Sequence, residues 1–584
     1  MARFAVPTLL ILIFIAYFSF QVCPTFYFWD SAELTAAVIA DGVPHPPGFP
    51  LLLMLGKLFI AVTPFEDSRA LNLMSALFAA IGLGLWFLVI RNVLKSYYAE
   101  SRDLALGLYS LLGAILLGTS FAFTIQAVRF EVYSLNFALF ALMLLITLNI
   151  CKAEGGLNGR VLLLAVVIGL ALGAHILTIV LAVPGIILLL FLSRRSRMKL
   201  FPVAVLVSLV AGIAVYGYIY FLASRQPIQN WGDPSDFQRF LDYLTAREFT
   251  TSVSSFGLGH IMANIAFVLN LMIRQFGLPA VLLSVWGLYD LVRYRRKIGY
   301  PLFLILVLNM ISIVFSEDFY YENYDQHGYL LISLAVMALS AVIGLWLLYG
   351  LLSRLMQRRE IQGPGRRALT LTVLTAFLAC AYPLSVNTFS ADLSDVRGAE
   401  EYADQFLSAA PERAVIVTSF YNTYFCLLAK EAVVGISDSS CIVNIYNWDH
   451  RWGREDAGRR YEGKLNFDAD RQAFYRGFLN ALMGNVQIYV EYDESSAPLA
   501  KYLLPDGPGY LLTAPDTSVV FDERVTGEIE PRLAALADED DLETVKTWLL
   551  WFQNRALFYE RRGYPDVAKD YFSAAESLTV GRSN

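Results

Sequence analysis

Two carboxylates three positions apart, Asp30 and Glu33, stand in the run Phe26-Tyr-Phe-Trp-Asp-Ser-Ala-Glu-Leu34. They follow directly on the first apolar span. An acid at the mouth of a membrane domain is costly unless it is paired, hydrated or used. If the segment is helical, this spacing puts both acids on one face. Such a pair suits general-base work on an incoming hydroxyl. A plainer reading is also open, because acids at a helix N-terminus are favoured by the dipole and Asp30 could simply cap the helix.

Other polar residues gather on the same expected side. His45 lies in His-Pro-Pro-Gly-Phe-Pro, which cannot be a helix interior, so the prolines hold it in a fixed turn. It either serves the site or caps a carbonyl. A second corner, Gln126-Ala-Val-Arg129-Phe-Glu131, offers a cation for a phosphate and an acid to support Asp30, or merely a salt bridge. His175 ends Gly169-Leu-Ala-Leu-Gly-Ala-His175, where two glycines allow close helix approach. It lines a cavity or bonds a neighbouring backbone. The loop Ser224–Pro234 carries Arg225, Asn230, Trp231 and Asp233, and Arg247 follows. Guanidinium groups at a membrane surface fit a phosphate or diphosphate. Trp231 could stack on a sugar face or anchor at the interface.

These groups need a membrane scaffold to hold them. The chain has 584 residues, 57% hydrophobic and only 16% charged, with a mean hydropathy of +0.52. That composition indicates a polytopic membrane protein. The net charge of −6 gives no reason to expect nucleic acid. Apolar runs predict about eleven spans, at roughly 5–22, 70–91, 103–124, 130–151, 160–176, 178–193, 200–222, 277–294, 300–316, 327–350 and 368–388. The amphipathic segment 261–276 is expected to lie on the surface. No small-x-small cleavage site follows the first run, so it reads as a retained helix.

Basic residues cluster in alternate loops, around Arg91 and Lys95, Lys152 and Arg160, Arg194 to Lys199, Arg293 to Lys297, and Arg354 to Arg367. The positive-inside rule then puts the N-terminus in the cytoplasm. The Asp30 loop, the Arg129 corner, the loop 223–276 and the tail fall on the other side. The short cytoplasmic loops lean toward a bacterial inner membrane rather than the endoplasmic reticulum.

Three regions are expected: a membrane domain over 1–390, an exported α/β domain over 391–545, and a helical hairpin over 546–584. Ala414–Thr418 and Val486–Glu491 read as buried strands, and Asp392–Ala410 and Asp468–Met483 as helices. Tyr559, Gly563, Ala568, Phe572 and Ala575 match the spacing of one tetratricopeptide-type hairpin, although one repeat cannot make a solenoid and an ordinary capping hairpin is the plainer reading. Cys426 and Cys441 could pair on an oxidising side. No phosphate loop, dinucleotide fingerprint or Gly-x-Ser-x-Gly elbow is present, so a soluble nucleotide-sugar donor has no evident site.

Trp29-Asp-Ser-Ala-Glu-Leu with Gly42-Val-Pro-His-Pro-Pro-Gly-Phe-Pro50 resembles the signature of a multispanning family. That family includes the animal endoplasmic-reticulum O-mannosyltransferases acting on plexin-type ectodomains. Ser68–Phe78, Glu131–Asn136, Gly173-Ala-His175 and Asn230–Pro234 extend the resemblance over roughly residues 20–260, in register. It implies a type C (GT-C) membrane glycosyltransferase with a polyprenyl-phosphate sugar donor. Asp30 would then be the base, and Glu33 its partner or a ligand where a metal is used. Arg225 and Arg247 are candidates for the lipid phosphate by position. The chain departs from relatives at Ala174, where they carry Asn or Gln, and at Ser419-Phe420, where they often show Gly-Asp.

The expected function is transfer of a sugar, with mannose suggested by the family, to a hydroxyl on an exported protein. Lipid or glycan acceptors are an alternative. A transporter, flippase or non-catalytic sensor is a different class, against which stand the lack of a repeat and polar groups at one face rather than the midplane.

Overall fold

The computed structural model describes residues 2–97, 103–152, 158–194, 199–250, 257–314, 323–359, 364–435, 441–460, 487–513, 526–537 and 539–580. They form two compact units. One comprises Met1–Cys23, Pro47–Phe221 and Leu241–Asp395; the other comprises Pro24–Pro46, Leu222–Phe240 and Val396–Asn584.

In the first unit, eight helices among the described residues are long and apolar enough to cross a membrane, which makes the chain an integral membrane protein. Each of the eleven expected spans falls on a helix. The count of eleven is reached only by adding a bent pair and two shorter helices, Ala5–Ser19 and Asn158–Leu172. Pro50–Val62 is a further short apolar helix outside the eleven.

Two interruptions have local causes. The expected span 103–124 is broken into Asp103–Gly118 and Phe121–Ala127, bent by 72°. Thr119 and Ser120 at the break turn their hydroxyls back to Ile115 O (2.8 Å) and Leu117 O (2.7 Å), carbonyls that also accept the backbone N–H groups of Thr119 and Ser120, so these side chains are satisfied locally where the helix bends. The segment 261–276 is helical within Leu258–Tyr294, and a kink sets it off from the expected span that begins at 277. Gly277 interrupts that helix with φ 73°, two residues before Pro279.

Helices pack closely where side chains are small. A Cβ on Gly287 would lie 1.9 Å from Ser340 O, and one on Gly344 would lie 2.1 Å from Leu283 O. Leu258–Tyr294 and Leu331–Arg358 therefore meet backbone to backbone across a small-xxx-small stripe. The window of Leu331–Arg358 is 83% buried, so this helix forms the interior of its unit.

The second unit holds a five-stranded sheet: β1 Val415–Thr418, β2 Cys441–Asn444, β3 Ile488–Val490, β4 Leu503–Asp506 and β5 Gly509–Leu512. The strand order is β2-β1-β3-β5-β4. β1 runs parallel to β2 and β3, and β5 runs antiparallel to β3 and β4. β1, apolar up to its final Thr418, and the apolar β3 are buried along their length, as central strands covered on both faces must be. Gly398–Ala409 answers the first expected tail helix, while Asp468–Met483 lies outside the described residues. Leu542–Arg561 and Pro565–Val580 pack as a helical hairpin. Cys426 is a free, fully buried thiol, which removes it from the pairing with Cys441.

Candidate active site

Asp30 and Glu33 open the helix Asp30–Ile39, which groups with the tail. Trp29 takes the cap position with φ 58°, rare for a bulky residue. It is held from two sides: its backbone N–H donates to Asn422 Oδ1 (3.0 Å) and its indole N–H to Glu543 Oε2 (2.6 Å). Tyr27 donates to Asp541 Oδ1 at 2.7 Å. Asp30 is thus the first helical residue and not the cap. The helix packs along Tyr421–Val434 and buries Ser31 through Val38. It ends in a Schellman arrangement, with Asp41 left-handed (φ 54°) and Gly42 N–H on Ala37 O at 2.8 Å. This reversal carries the chain back toward Glu33.

His45 arrives there. Its backbone N–H donates to Glu33 Oε1 at 2.7 Å, and its ring Nδ1 meets Glu33 Oε2 in a short hydrogen bond. Its Nε2 lies 4.0 Å from Asp30 Oδ2. Glu33 has no exposure, whereas the Asp30 side chain is 28% exposed and that of His45 18%. A buried carboxylate therefore fixes the ring's tautomer and direction, and the ring faces the one carboxylate an incoming molecule can reach. Asp30, Glu33 and His45 also present ligand atoms within 4.8 Å of one another, a donor set suited to a divalent cation.

The loop after Ser224 is stitched to this turn. Val43 and Asn230 form a parallel bridge, with Val43 N–H on Gln229 O (2.7 Å) and Trp231 N–H on Val43 O (3.1 Å). Gln229 Nε2 donates to Glu33 O at 3.3 Å. Asp233 is buried, and its Oδ1 accepts from Gln226, Asn230 and Ser235 at 2.8–3.1 Å. Arg239 pairs with its Oδ2 at 2.5 Å and with Glu455 at 2.6 Å. Asn230 and Asp233 thus shape the loop. Trp231 is only 5% exposed, stacked on Tyr421 and beside Trp452, so its faces are taken by protein rings. Arg225 is exposed at the end of the helix Phe201–Ser224.

The remaining candidates lie in the first unit. Arg129 is buried and pairs with Asp325 Oδ1 (2.6 Å) and Glu131 Oε1 (3.7 Å). This is the salt-bridge reading, extended by an acid the sequence did not single out. His175 is 5% exposed, with Nδ1 3.1 Å from Thr178 Oγ1 and its ring among Tyr133, Tyr329 and Phe49. Gly169 and Gly173 bring their helix against Ser208 and Val215, as expected. Arg247 is 68% exposed and paired with Asp242 at 3.1 Å.

One buried acid escaped sequence reading. Glu491, just after β3, accepts from Ser419 N (2.8 Å), Phe420 N (3.0 Å) and Thr423 Oγ1 (2.5 Å) at the start of Tyr421–Val434. It anchors the helix against which Asp30–Ile39 packs. Burial pushes its carboxyl up to about 7. Between the unfolded value near 4.3 and 7, the folded state keeps a proton that the unfolded state has lost. Stability therefore falls as pH rises through this window, by roughly 4 kcal/mol in full. Glu491→Gln, which keeps one acceptor oxygen without the charge, is expected to remove this decline. The melting temperature in detergent between pH 5 and 8 checks it; an unchanged slope in the variant would refute it.

Residues 30–199 match the family model of the protein O-mannosyl-transferase TMEM260 N-terminal domain. The protein O-mannosyl-transferase TMEM260 of Mus musculus is 25% identical over 484 residues, covering 79% of this chain. The Dictyostelium discoideum protein O-mannosyl-transferase tmem260 is 22% identical over 287 residues, covering 45% of this chain. The match spans 65% of the mouse protein's length and 33% of the Dictyostelium protein's. These findings bear out the resemblance read from the motifs. ArnT from Cupriavidus metallidurans bound to undecaprenyl phosphate superposes with a TM-score of 0.55 at 11% identity, over 88% of this chain and 99% of that one. Its apo form gives 0.57, over 88% and 98%. The fold is GT-C-like.

Proposed function

We propose that this chain transfers a sugar, mannose before others, from a polyprenyl-phosphate donor to a hydroxyl of an exported protein, with inversion. The observation that carries the reading is the partly exposed Asp30 facing a His45 ring locked by buried Glu33. The acceptor oxygen attacks the anomeric carbon. The bond from that carbon to the phosphate oxygen breaks, and its electron pair leaves with the polyprenyl phosphate. The hydroxyl proton passes to Asp30, with His45 positioned to steady or relay it.

The leaving phosphate needs cations. Arg225 and Arg247 are the candidates for that role because both are exposed, whereas Arg129 is buried and paired with Asp325 and Glu131. Asn230, Trp231 and Asp233 support the loop that carries Arg225. Glu131 and His175 shape their own unit. We read the Asp30 cluster as a proton relay rather than a metal centre, because both oxygens of Glu33 are engaged by His45. EDTA is accordingly expected to leave the transfer rate unchanged, and loss restored by a divalent cation would reverse that reading. The lipid donor is supported by the fold shared with a protein crystallised with undecaprenyl phosphate. The proposed topology has the N-terminus in the cytoplasm of a bacterial inner membrane and the tail outside, helping to dock the acceptor. The units 391–545 and 546–584 are its proposed parts.

The test uses proteoliposomes with polyprenyl-phosphate-[³H]mannose or -[³H]glucose and an exported protein domain as acceptor. Label covalently bound to the protein supports the reading. Label only in lipid or glycan moves the acceptor class. Donor crossing the bilayer with no covalent product would replace transfer by transport.

A further inference from the structure

A cavity of about 760 Å³ opens in the first unit, far along its helices from the acidic turn in sequence. Its size lies within the roughly 300–1,000 Å³ range of small-molecule sites. Three helices line it: Asp67–Tyr97 with Asn92 and Lys95, Val132–Lys152 with Asn149 and Lys152, and Asn158–Leu172 with Arg160. Ile146 and Leu163 add apolar wall. Asn92 Nδ2 donates to Asn149 Oδ1 at 3.2 Å, and Lys152 Nζ donates to Asn92 O at 2.7 Å, which builds the polar rim from two amides and a cation. Among the described residues, Asp103 lies 3.3 Å from Arg91 and 4.0 Å from the lining Lys95.

A lysine in the last turn of each of two helices is what the helix dipole favours by itself. Arg160 is different. It stands in the first turn of Asn158–Leu172, where the dipole disfavours a cation. Loop topology accounts for the sign of these charges; it does not call for a hollow lined by amides and cations between helix ends. Basic pockets of this kind between membrane helices suit phosphate-bearing headgroups.

We propose that this cavity binds a phosphate anion, presented by an acidic phospholipid headgroup or as a free phosphate. Lys95, Lys152 and Arg160 supply the charge, Asn92 and Asn149 the hydrogen bonds, and Ile146 and Leu163 the wall for the first carbons of a lipid.

The test is native mass spectrometry of the full chain in detergent with equal phosphatidylglycerol and phosphatidylcholine. Wild type is expected to retain phosphatidylglycerol preferentially. The double variant Lys95→Gln/Arg160→Gln, at exposed positions, is expected to weaken that retention by about tenfold or more. Lys297→Gln, an exposed cation on another helix, is expected to leave it unchanged. Displacement of the lipid by millimolar inorganic phosphate would assign the site to the phosphate group from either source. Retention unaffected by phosphate would assign it to the lipid headgroup. No preference in wild type, or the same preference in the double variant with an unchanged melting temperature, would overturn the proposal.

Discussion

Replacing Asp30 by asparagine is expected to lower the rate of sugar transfer by about a thousandfold, within the range for loss of a general base. The fold should survive. Asp30 is the first residue of its helix, partly exposed, and the loss of its charge at the N-terminus costs under about 1 kcal/mol. Donor binding should change little, because the carboxylate acts on the acceptor proton. Initial rates at saturating donor, with a melting curve on the same preparation, check this. A rate within threefold of wild type would remove Asp30 from the mechanism and shift the role to His45, whose ring is the next reachable base.

The second large effect is structural. Asp233→Asn is expected to destabilise the second unit by about 3 kcal/mol, since it breaks a buried ion pair from one side. The carboxylate accepts from Gln226, Asn230 and Ser235 and pairs with Arg239. An amide NH₂ in its place would face donors with a donor. Arg239 keeps Glu455 and Asp236, which is why the expected cost sits at the lower end for such pairs. Transfer should fall as well, because this loop is bridged to Val43 and bonded to Glu33 O through Gln229. The double variant Asp233→Asn/Arg239→Met should lose less than the two single changes summed. Strict additivity would show that the pair is not coupled.

These two cases mark what a single sequence makes legible. Asp30, Glu33 and His45 are joined over a short stretch, and helix spacing with a proline-set turn is enough to bring them together. Arg129 and Glu131 are two residues apart, so their salt bridge was foreseeable; the 2.6 Å partner Asp325 was not. Arg239 and Glu455 are 216 residues apart, and no local pattern encodes that pairing. Trp231 illustrates the same limit. Its loop setting suggested an exposed ring, but Tyr421 and Trp452, distant in sequence, close over it. Hydropathy located every expected span on a helix. It missed the break at Thr119-Ser120 because the residues on both sides remain apolar. It set the amphipathic 261–276 apart from the following span, and the helix is interrupted between them at Gly277. Glu491 drew no notice because an acid after a strand is ordinary; its role at the start of Tyr421–Val434 arises only when β3 lies beside β1.

The central claim is a single displacement at the anomeric carbon with Asp30 taking the acceptor proton. The measurement that tests it most directly is the anomeric configuration of the product, read by NMR on glycopeptide made from a donor of defined configuration. The account predicts a linkage of the opposite configuration to the donor. A retained configuration would require a covalent or ion-pair intermediate and would contradict it.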